Sequence, residues 1–390
     1  MLYKYFSEEL LGLQDAEIKN IETNKEKTKI TIRMKRKPHK CPCCGNETNR
    51  IHDYRKQVIK DIPSFGKQTV LILEKRRYVC SCGKRFYEKV HFLPKYHRMT
   101  DRLITYVIDK LRNTTSFTQV SKEVNLSVST VIRIFDFIGF GKPELPEVIA
   151  IDEFKGDTAG EKYNCIITDP VNHKVLDILP KRHAHYLSTY FKNFNDRENV
   201  KIFISDMWSP YADTASVYFK NAKQVVDKYH WIRQIIWAFE RVRKDVQKKF
   251  RKDYRIYFKH SRKLLLKRYD QLKEEQKQQV MVMLSVSPTL YSAHFLKEQF
   301  FKILDCKSRT EAKKLLSEWV DSAYECGIKP FEKCAKTMFN WYSGILNSFD
   351  TPYTNGFTEG CNNKIKVLKR NAFGYRNFTR FRKRILFMFT

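Results

Sequence analysis

Short apolar runs that close on an acid alternate with amphipathic stretches along the second half of this chain. Lys201 to Ser205 (KIFIS) is apolar and bounded by polar residues, which predicts a central strand of a mixed or parallel sheet. Asp206 follows it directly, at the carboxyl end of a strand, where open α/β sheets gather their ligands. Ser209-Pro210 predicts a helix through Phe219, since Pro is tolerated in a first helical turn, and AKQVVDKYH supplies a second strand ending at Asp227 and His230. Upstream, EVIAIDEF (Glu147 to Phe154) reads as a strand ending in Asp152, and YNCIITD with KVLDILP reads as a meander beyond it. From His230 to about Ser348 the pattern is helical, with WIRQIIWAFERVRKDVQKKFRK and TEAKKLLSEWVDSAYECGI both amphipathic. NGFTEGCNNKIKVLKR (Asn355 to Arg370) follows as a helix with Glu359 in its first turns. Steps of three, four and seven from Glu359 reach Asn362, Asn363 and Lys366, with Arg370 a turn further, so one face carries an acid and then bases.

The first half reads differently. Residues 1 to about 38 form a leader, an amphipathic start followed by a charged strand pair around KTKITIRMKRK. Residues 39–97 hold Cys41-Pro42-Cys43-Cys44-Gly45 and Cys80-Ser81-Cys82-Gly83, with strand-like VIKDIP and TVLILEKRRYVC between them. Pro and Gly shape a tight turn that lets backbone N–H groups face two thiolates, so Cys41, Cys44, Cys80 and Cys82 predict a zinc ribbon with tetrahedral ligation of Zn2+. The second pair is one residue short of the usual knuckle, which leaves Cys43, His52 or His91 open as replacement ligands. Residues 98–141 are helical, and TSFTQVSKEVNLSVSTVIRIFDF has helix-turn-helix rhythm: a helix over about 117–123, a turn at Val124-Asn125-Leu126, and a second helix capped by Ser127. Val120, Val131 and Ile134 are expected in the core, and Ser129, Thr130 and Arg133 toward DNA. GKPELPE is a linker, and residues 146–390 follow as the catalytic domain with a helical insertion at about 232–348.

Charge sharpens this picture. The 390 residues include 74 Lys and Arg against 43 Asp and Glu, a formal net charge of +31, which implies a polyanionic partner. The 28 Phe, 21 Tyr and 5 Trp argue for packed cores and stacking surfaces rather than a disordered basic tail. No apolar run is long enough to span a bilayer, and MLYKYFSEELLGL is too short and too acidic for a signal peptide. With ten cysteines and no export signal, a reducing cytosol is expected, and with it thiols that bind metal rather than form disulfides.

Phosphodiester cleavage by two metals needs a few carboxylates converging on a pair of divalent ions. Asp152, Asp206 and Glu359 stand at suitable addresses, oxygen-only ligation favours Mg2+ or Mn2+, and Glu153, Asp157 and Asp213 are nearby acids that the pattern does not select.

The order of these features resembles the DDE transposases of bacterial insertion sequences. The N-terminal ribbon, the helix-turn-helix, the IDEF strand, SDMWSPY, DKYHW and NGFTEGCNNKIKVLKR are similar, more narrowly, to the ISL-three family, over about Cys41 to Leu386. The resemblance implies an α/β multidomain chain: an RNase H-like core with a helical insertion, preceded by the ribbon and the helix-turn-helix. It places the triad on Asp152, Asp206 and Glu359 with two Mg2+ or Mn2+ ions, Asp152 bridging both ions and the other two each completing one. Asp227 and His230 become auxiliary residues of the strand-processing steps. Lys364, Lys366 and Arg370 become DNA contacts, with Lys366 where a phosphate passes. Trp208 and Tyr211 are read as buried anchors in preference to stacking platforms for a DNA end. The implied reaction is hydrolysis at the element's ends, freeing a 3′ hydroxyl that attacks target DNA without a covalent enzyme intermediate. The implied partners are double-stranded DNA, both terminal inverted repeats and target, and further copies of the chain as a homo-oligomer, a dimer by analogy. The implied compartment is the bacterial cytoplasm at the nucleoid, with no membrane partner. Competing readings are a catalytically inactive DNA-binding regulator and an RNase H-like nuclease of another system, such as an RNA-guided nuclease. A tyrosine or serine recombinase fits less well, lacking its Arg/His/Tyr constellation.

Overall fold

The computed structural model describes residues 12–13, 15–158, 160–260 and 262–390, so the amphipathic start expected at the N-terminus falls almost wholly outside the described residues. The chain forms two compact units, one of residues 1–140 with 365–375 and 379–390, the other of residues 141–364 with 376–378.

In the first unit, alternation in β2 (Lys27–Met34) buries Ile30, Ile32 and Met34 on one side. That strand pairs antiparallel with β1 (Ala16–Thr23) and parallel with a longer strand downstream, so the end of the leader shares a sheet with the cysteine-bearing segment. After the two-residue strands β3 (His39–Lys40) and β4 (Glu47–Thr48) come β5 (Ile51–Ser64) and β6 (Lys67–Val79), a long hairpin turning at Phe65-Gly66, then β7 (Arg85–Tyr87). The sheet order is β1-β2-β6-β5, with β7 on β6. Three helices follow, α1 (Asp101–Lys110), α2 (Phe117–Glu123) and α3 (Val128–Asp136), each started by a hydroxyl cap: Thr100, Ser116 and Ser127. Asn125 makes the turn between α2 and α3 at φ +51, and Val120, Val131 and Ile134 are buried. Ribbon and helices are fastened at Asp61, a buried carboxylate that accepts from Thr100 Oγ1 (2.7 Å) and Arg102 Nε (2.8 Å).

The second unit is built on a sheet of β8 (Val148–Thr158), β9 (Glu161–Asp169), β10 (Lys174–Leu179), β11 (Ile202–Ser205) and β12 (Lys223–Val226), in the order β10-β9-β8-β11-β12. The first three are antiparallel, and β8, β11 and β12 run parallel. Helices α4 (Ala184–Lys192) and α5 (Ser209–Tyr218) cover one face through Leu187, Phe191, Tyr211 and Ala215 over Ile149, Ile151, Ile167 and Phe203. Tyr211 is thus the buried anchor expected of it. Two expectations about strand ends need correcting. β8 does not stop at Asp152 but runs to Thr158, because β9 keeps pairing with it; only the pairing with β11 ends, at Ala150, which leaves Asp152 just past the end of the parallel ladder. Likewise β12 ends at Val226, so His230 lies in the first turn of the next helix and not on a strand.

That helix, α6 (Lys228–Lys248), opens the helical insertion and buries Trp231, Ile235, Phe239, Val242 and Val246 at helical spacing. The insertion continues through α7 (Lys252–His260), α8 (Arg262–Leu266), α9 (Glu274–Ser285), α10 (Pro288–Ile303), α11 (Arg309–Glu325), α12 (Lys329–Asn340) and α13 (Tyr342–Asn347), around a core that includes Phe300, Trp319 and Phe331. It returns to the sheet where α13 meets β12. A Cβ at Gly344 would stand 2.7 Å from Val226 Cγ2, so only glycine permits that approach. The last helices are α14 (Gly356–Asn371) and α15 (Phe378–Met388).

Helix α15 contributes to the first unit. Arg384 is fully buried there, donates to the carbonyls of Leu111, Asn113 and Thr115, and lies over the rings of Phe117 and Phe135, while Arg380 pairs with Asp136 through two bonds. Replacing Arg384 with Met removes three hydrogen bonds to carbonyls, the one to Leu111 fully buried and the other two partly, each worth roughly 1 kcal/mol. Thermal or urea unfolding of Arg384→Met is therefore expected to show a stability loss of about 3 kcal/mol in this unit, and an unchanged midpoint would refute the latch.

Candidate functional site

Two groups of side chains meet at the carboxyl ends of β11 and β12. The ligand-capable atoms of Asp152, Glu153 and Asp206 lie within 4.8 Å of one another, and so do those of Asp227, His230 and Glu359. Asp206 sits directly after β11, and Asp227 directly after β12 with its Oδ1 accepting the Asn355 N–H at 3.1 Å. Glu359 is delivered by α14, whose first turn is pinned to β9 by a buried bond between the Thr358 and Thr168 hydroxyls (2.7 Å). One turn beyond Glu359, Asn362 Nδ2 donates to Asp152 Oδ2 at 2.8 Å and fixes that carboxylate.

The electrostatics tie the groups together. Burial pushes the Asp152 carboxyl up to about 7; a bond from the Glu153 N–H acts the other way, and the charges of Glu153, Glu359 and Asp227 raise it further. Asp206 is likewise pushed up to about 7 by burial, then by Glu153 and Asp152. Burial lowers the His230 pKa, against the opposing charge of Asp227. The donors suit hard divalent cations, because the set is dominated by carboxylate oxygens and because Asp206 Oδ1 and Glu153 Oε2 are buried with no hydrogen-bond partner among the described residues.

These shifts set a pH dependence. A carboxyl whose folded pKa lies above its unfolded value keeps its proton while the unfolded chain loses it. The cation-free fold therefore loses stability as pH rises from about 4 to about 7. A divalent ion displaces those protons, so its affinity should climb by up to about tenfold per pH unit for each proton released, levelling off above 7. Melting temperatures with and without Mn2+ are expected to differ more at pH 8 than at pH 5.5, and an equal shift at both would count against cation binding here.

Sequence reasoning set Glu153 aside, yet it belongs to the first group. Its other oxygen accepts from Arg182 Nη1 at 2.7 Å, and that guanidinium lies 4.3 Å from the Trp208 ring and 4.9 Å from Tyr163. Period-two alternation turns neighbours to opposite faces of a sheet, but beyond Ala150 no β11 residue pairs with β8, so Asp152 and Glu153 both border an open edge there. The two acids in IDEF were the available signal. Asp157 and Asp213 lie outside both groups, and Asp213 is exposed.

In the first unit, the sulfurs of Cys41, Cys44, Cys80 and Cys82 cluster, with Cys41 to Cys82 at 3.6 Å and Cys44 to Cys80 at 3.5 Å. Tetrahedral zinc with bonds of about 2.3 Å places its sulfurs roughly 3.8 Å apart, so the quartet fits that ion. Cys43 is exposed, and Cys43, His52 and His91 stand outside the cluster. The short second knuckle closes because Gly83 takes φ +83, as Gly45 takes φ +76 in the first. The Cys82 N–H pulls the Cys80 thiol down to about 6, toward the thiolate that a metal needs.

On α3, Ser129 and Arg133 are exposed and Thr130 is half-buried; the Ser127 hydroxyl meets those of Ser129 (3.0 Å) and Thr130 (2.8 Å), and Arg133 reaches Thr130 Oγ1 at 3.3 Å. Lys364, Lys366 and Arg370 are exposed on α14. No helix among the described residues is long and apolar enough to cross a membrane.

Comparison with known proteins matches three regions of the chain. Residues 149–385 match the transposase domain of the ISL3 family, residues 37–82 the zinc finger of the IS204/IS1001/IS1096/IS1165 transposases, and residues 88–139 the helix-turn-helix domain of transposase family ISL3. The transposase for insertion sequence element IS1001 of Bordetella parapertussis is 26% identical over 394 residues, spanning 97% of this chain and 96% of the relative. The transposase for IS1557 of Mycobacterium tuberculosis (strain ATCC 25618 / H37Rv) is 31% identical over 119 residues, covering 30% of this chain and 27% of its own length.

Proposed function

We infer the mechanism from one premise: the chain belongs to the ISL3 family of insertion-sequence transposases, enzymes that cut and rejoin DNA. The second unit is proposed to be an RNase H-like core; the support is its strand order, three antiparallel strands followed by two parallel ones, with acids beyond Ser205 and Val226. Asp152, Asp206 and Glu359 are proposed as the DDE triad. The observation that carries this assignment is their convergence, since Asp152 feels the charge of Glu359 and is held by Asn362 from the same helix.

When bound, Mg2+ or Mn2+ supplies the Lewis acidity that activates the attacking oxygen and stabilises the leaving one. Asp152, a member of the first group that also feels the charges of Glu359 and Asp227, would serve both ions, while Asp206 and Glu359 would each complete one. Asn362 orients Asp152, and Asn355 orients Asp227. His230, whose pKa burial lowers, can take or return a proton on its imidazole during strand processing. Lys366, exposed further along α14, meets a phosphate. Zinc held by Cys41, Cys44, Cys80 and Cys82 shapes the ribbon. The ribbon and α3, through Ser129, Thr130 and Arg133, read the terminal inverted repeats, while Lys364 and Arg370 hold backbone phosphates. The reaction is hydrolysis at the element's end, freeing a 3′ hydroxyl that then attacks target DNA, and two chains are required to hold two ends together in a bacterial cytoplasm. The test is incubation of a labelled duplex carrying the element's end with the full chain and Mg2+. A nick at the end with a free 3′ hydroxyl is expected, and intact duplex at every Mg2+ and Mn2+ concentration would overturn the assignment.

A further inference from the structure

Helix α6 leaves the active site carrying an exposed stripe opposite its buried face. Tyr229, Arg233, Trp237 and Arg241 recur every four residues, with Lys244 on the following turn, so they lie along one side of the helix. Tyr229 is 54% exposed and Trp237 45%, although both are large aromatic side chains beside the insertion's core. The Arg233 guanidinium bridges them, 5.3 Å from the Tyr229 ring and 4.5 Å from the Trp237 ring, and its buried Nε has no partner among the described residues. Two hollows open beside the indole. One of about 340 Å³ is lined by Trp237, Glu240, Arg241 and Lys244, and one of about 130 Å³ reaches to Lys333 on α12. Glu240 adds no free negative charge to the first, being paired with Arg243 (2.6 Å) and Arg262 (2.7 Å).

The stripe begins at the site itself. Asp227 and His230 sit at the first turn of α6, and Arg233 follows one turn later. Cations interleaved with exposed aromatic rings, continuous with a cluster of catalytic acids, complement a strand of nucleic acid better than a protein or lipid surface: the cations track phosphates and every base offers a face to stack.

Resting on the transposase mechanism above, we propose that this side of α6 is a track for the DNA strand adjoining the cleavage point, with one unpaired base stacked on Trp237 and its flanking phosphates held by Arg233, Arg241 and Lys244. Stacking on Trp237 then stabilises a frayed end, so the site favours DNA whose bases beside the cut are already unpaired.

The test uses the full chain without added Mg2+ or Mn2+, so that DNA is bound and not cut. Two end-containing duplexes are compared, one fully paired and one forked at the cleavage point with 2-aminopurine in the unpaired strand. Wild type is expected to bind the forked duplex about tenfold tighter than the paired one and to quench the 2-aminopurine. Trp237→Ala should lose both the preference and the quenching while binding paired duplex as before, and Trp237→Phe should recover most of each. Arg241→Gln with Lys244→Gln should weaken forked binding and flatten its salt dependence. Forked binding and quenching by Trp237→Ala equal to wild type would overturn the track alone. Failure of wild type to bind either duplex would instead overturn the mechanism on which it rests.

Discussion

Asp206→Asn is expected to lower Mg2+-dependent nicking of an end-containing duplex by at least about a thousandfold, roughly 4 kcal/mol of transition-state stabilisation, while leaving DNA binding within about twofold. Asp206 is half-buried directly after a central strand, its buried Oδ1 lacks a partner among the described residues, and it lies within 4.8 Å of both Asp152 and Glu153. Asparagine keeps the volume and removes the charge that a divalent ion needs. The fold should tolerate the change, because burial already makes the charged form of Asp206 costly. Asp213→Asn is the matched control: that residue is exposed on α5, outside both acidic groups, and its loss should alter nicking by less than twofold. Equal nicking by Asp206→Asn and wild type would remove Asp206 from the site, and loss of DNA binding would mark the variant as misfolded.

The second large effect lies in the ribbon. Removing zinc by chelation, or breaking the quartet with Cys80→Ser, is expected to abolish sequence-selective binding to the element's end, with at least tenfold weaker retention in a gel shift. Metal binding by isolated structural zinc sites is worth about 10 to 16 kcal/mol, which exceeds the stability of most small domains. The knuckles around Cys41 and Cys80 meet through their sulfurs, with the bonds from Thr48 Oγ1 to the Val79 carbonyl and from the Val79 N–H to the Arg50 carbonyl joining the segments beside them. Restoring zinc to the chelated wild type should restore binding, whereas Cys80→Ser should stay impaired. Undiminished end binding by a chain shown by atomic absorption to hold no zinc would reject the structural role, and full activity of Cys43→Ser is expected in either case because that thiol lies outside the cluster.

The parts of this molecule that the bare sequence disclosed are those governed by local rules. Apolar runs ending at Asp206 and near Asp152 reflect strands buried on both faces, and helical counting from Glu359 correctly reached Asn362. Glycine turns beside paired cysteines disclosed the thiol cluster even though one knuckle is short. What stayed hidden depends on partners distant in the chain. That Asn362 grips Asp152, and that Glu153 joins the acids instead of facing away, follows from where β11 stops pairing, which no period reveals. Arg384 is one of four cations in FTRFRKRILFM and looks solvated; it is buried because three carbonyls from the α1–α2 connection converge on it. The parallel pairing of β2 with β6 was equally illegible, since a charged leader strand carries no mark of which edge it joins.

The most direct test of the account is anomalous diffraction from crystals of the wild-type chain soaked in Mn2+. Manganese peaks are predicted within bonding distance, about 2.1 Å, of Asp152, with Asp206 on one side and Glu359 on the other. Occupied manganese sites that leave Glu359 or Asp206 uncoordinated, or no peak at Asp152 at saturating Mn2+, would contradict it.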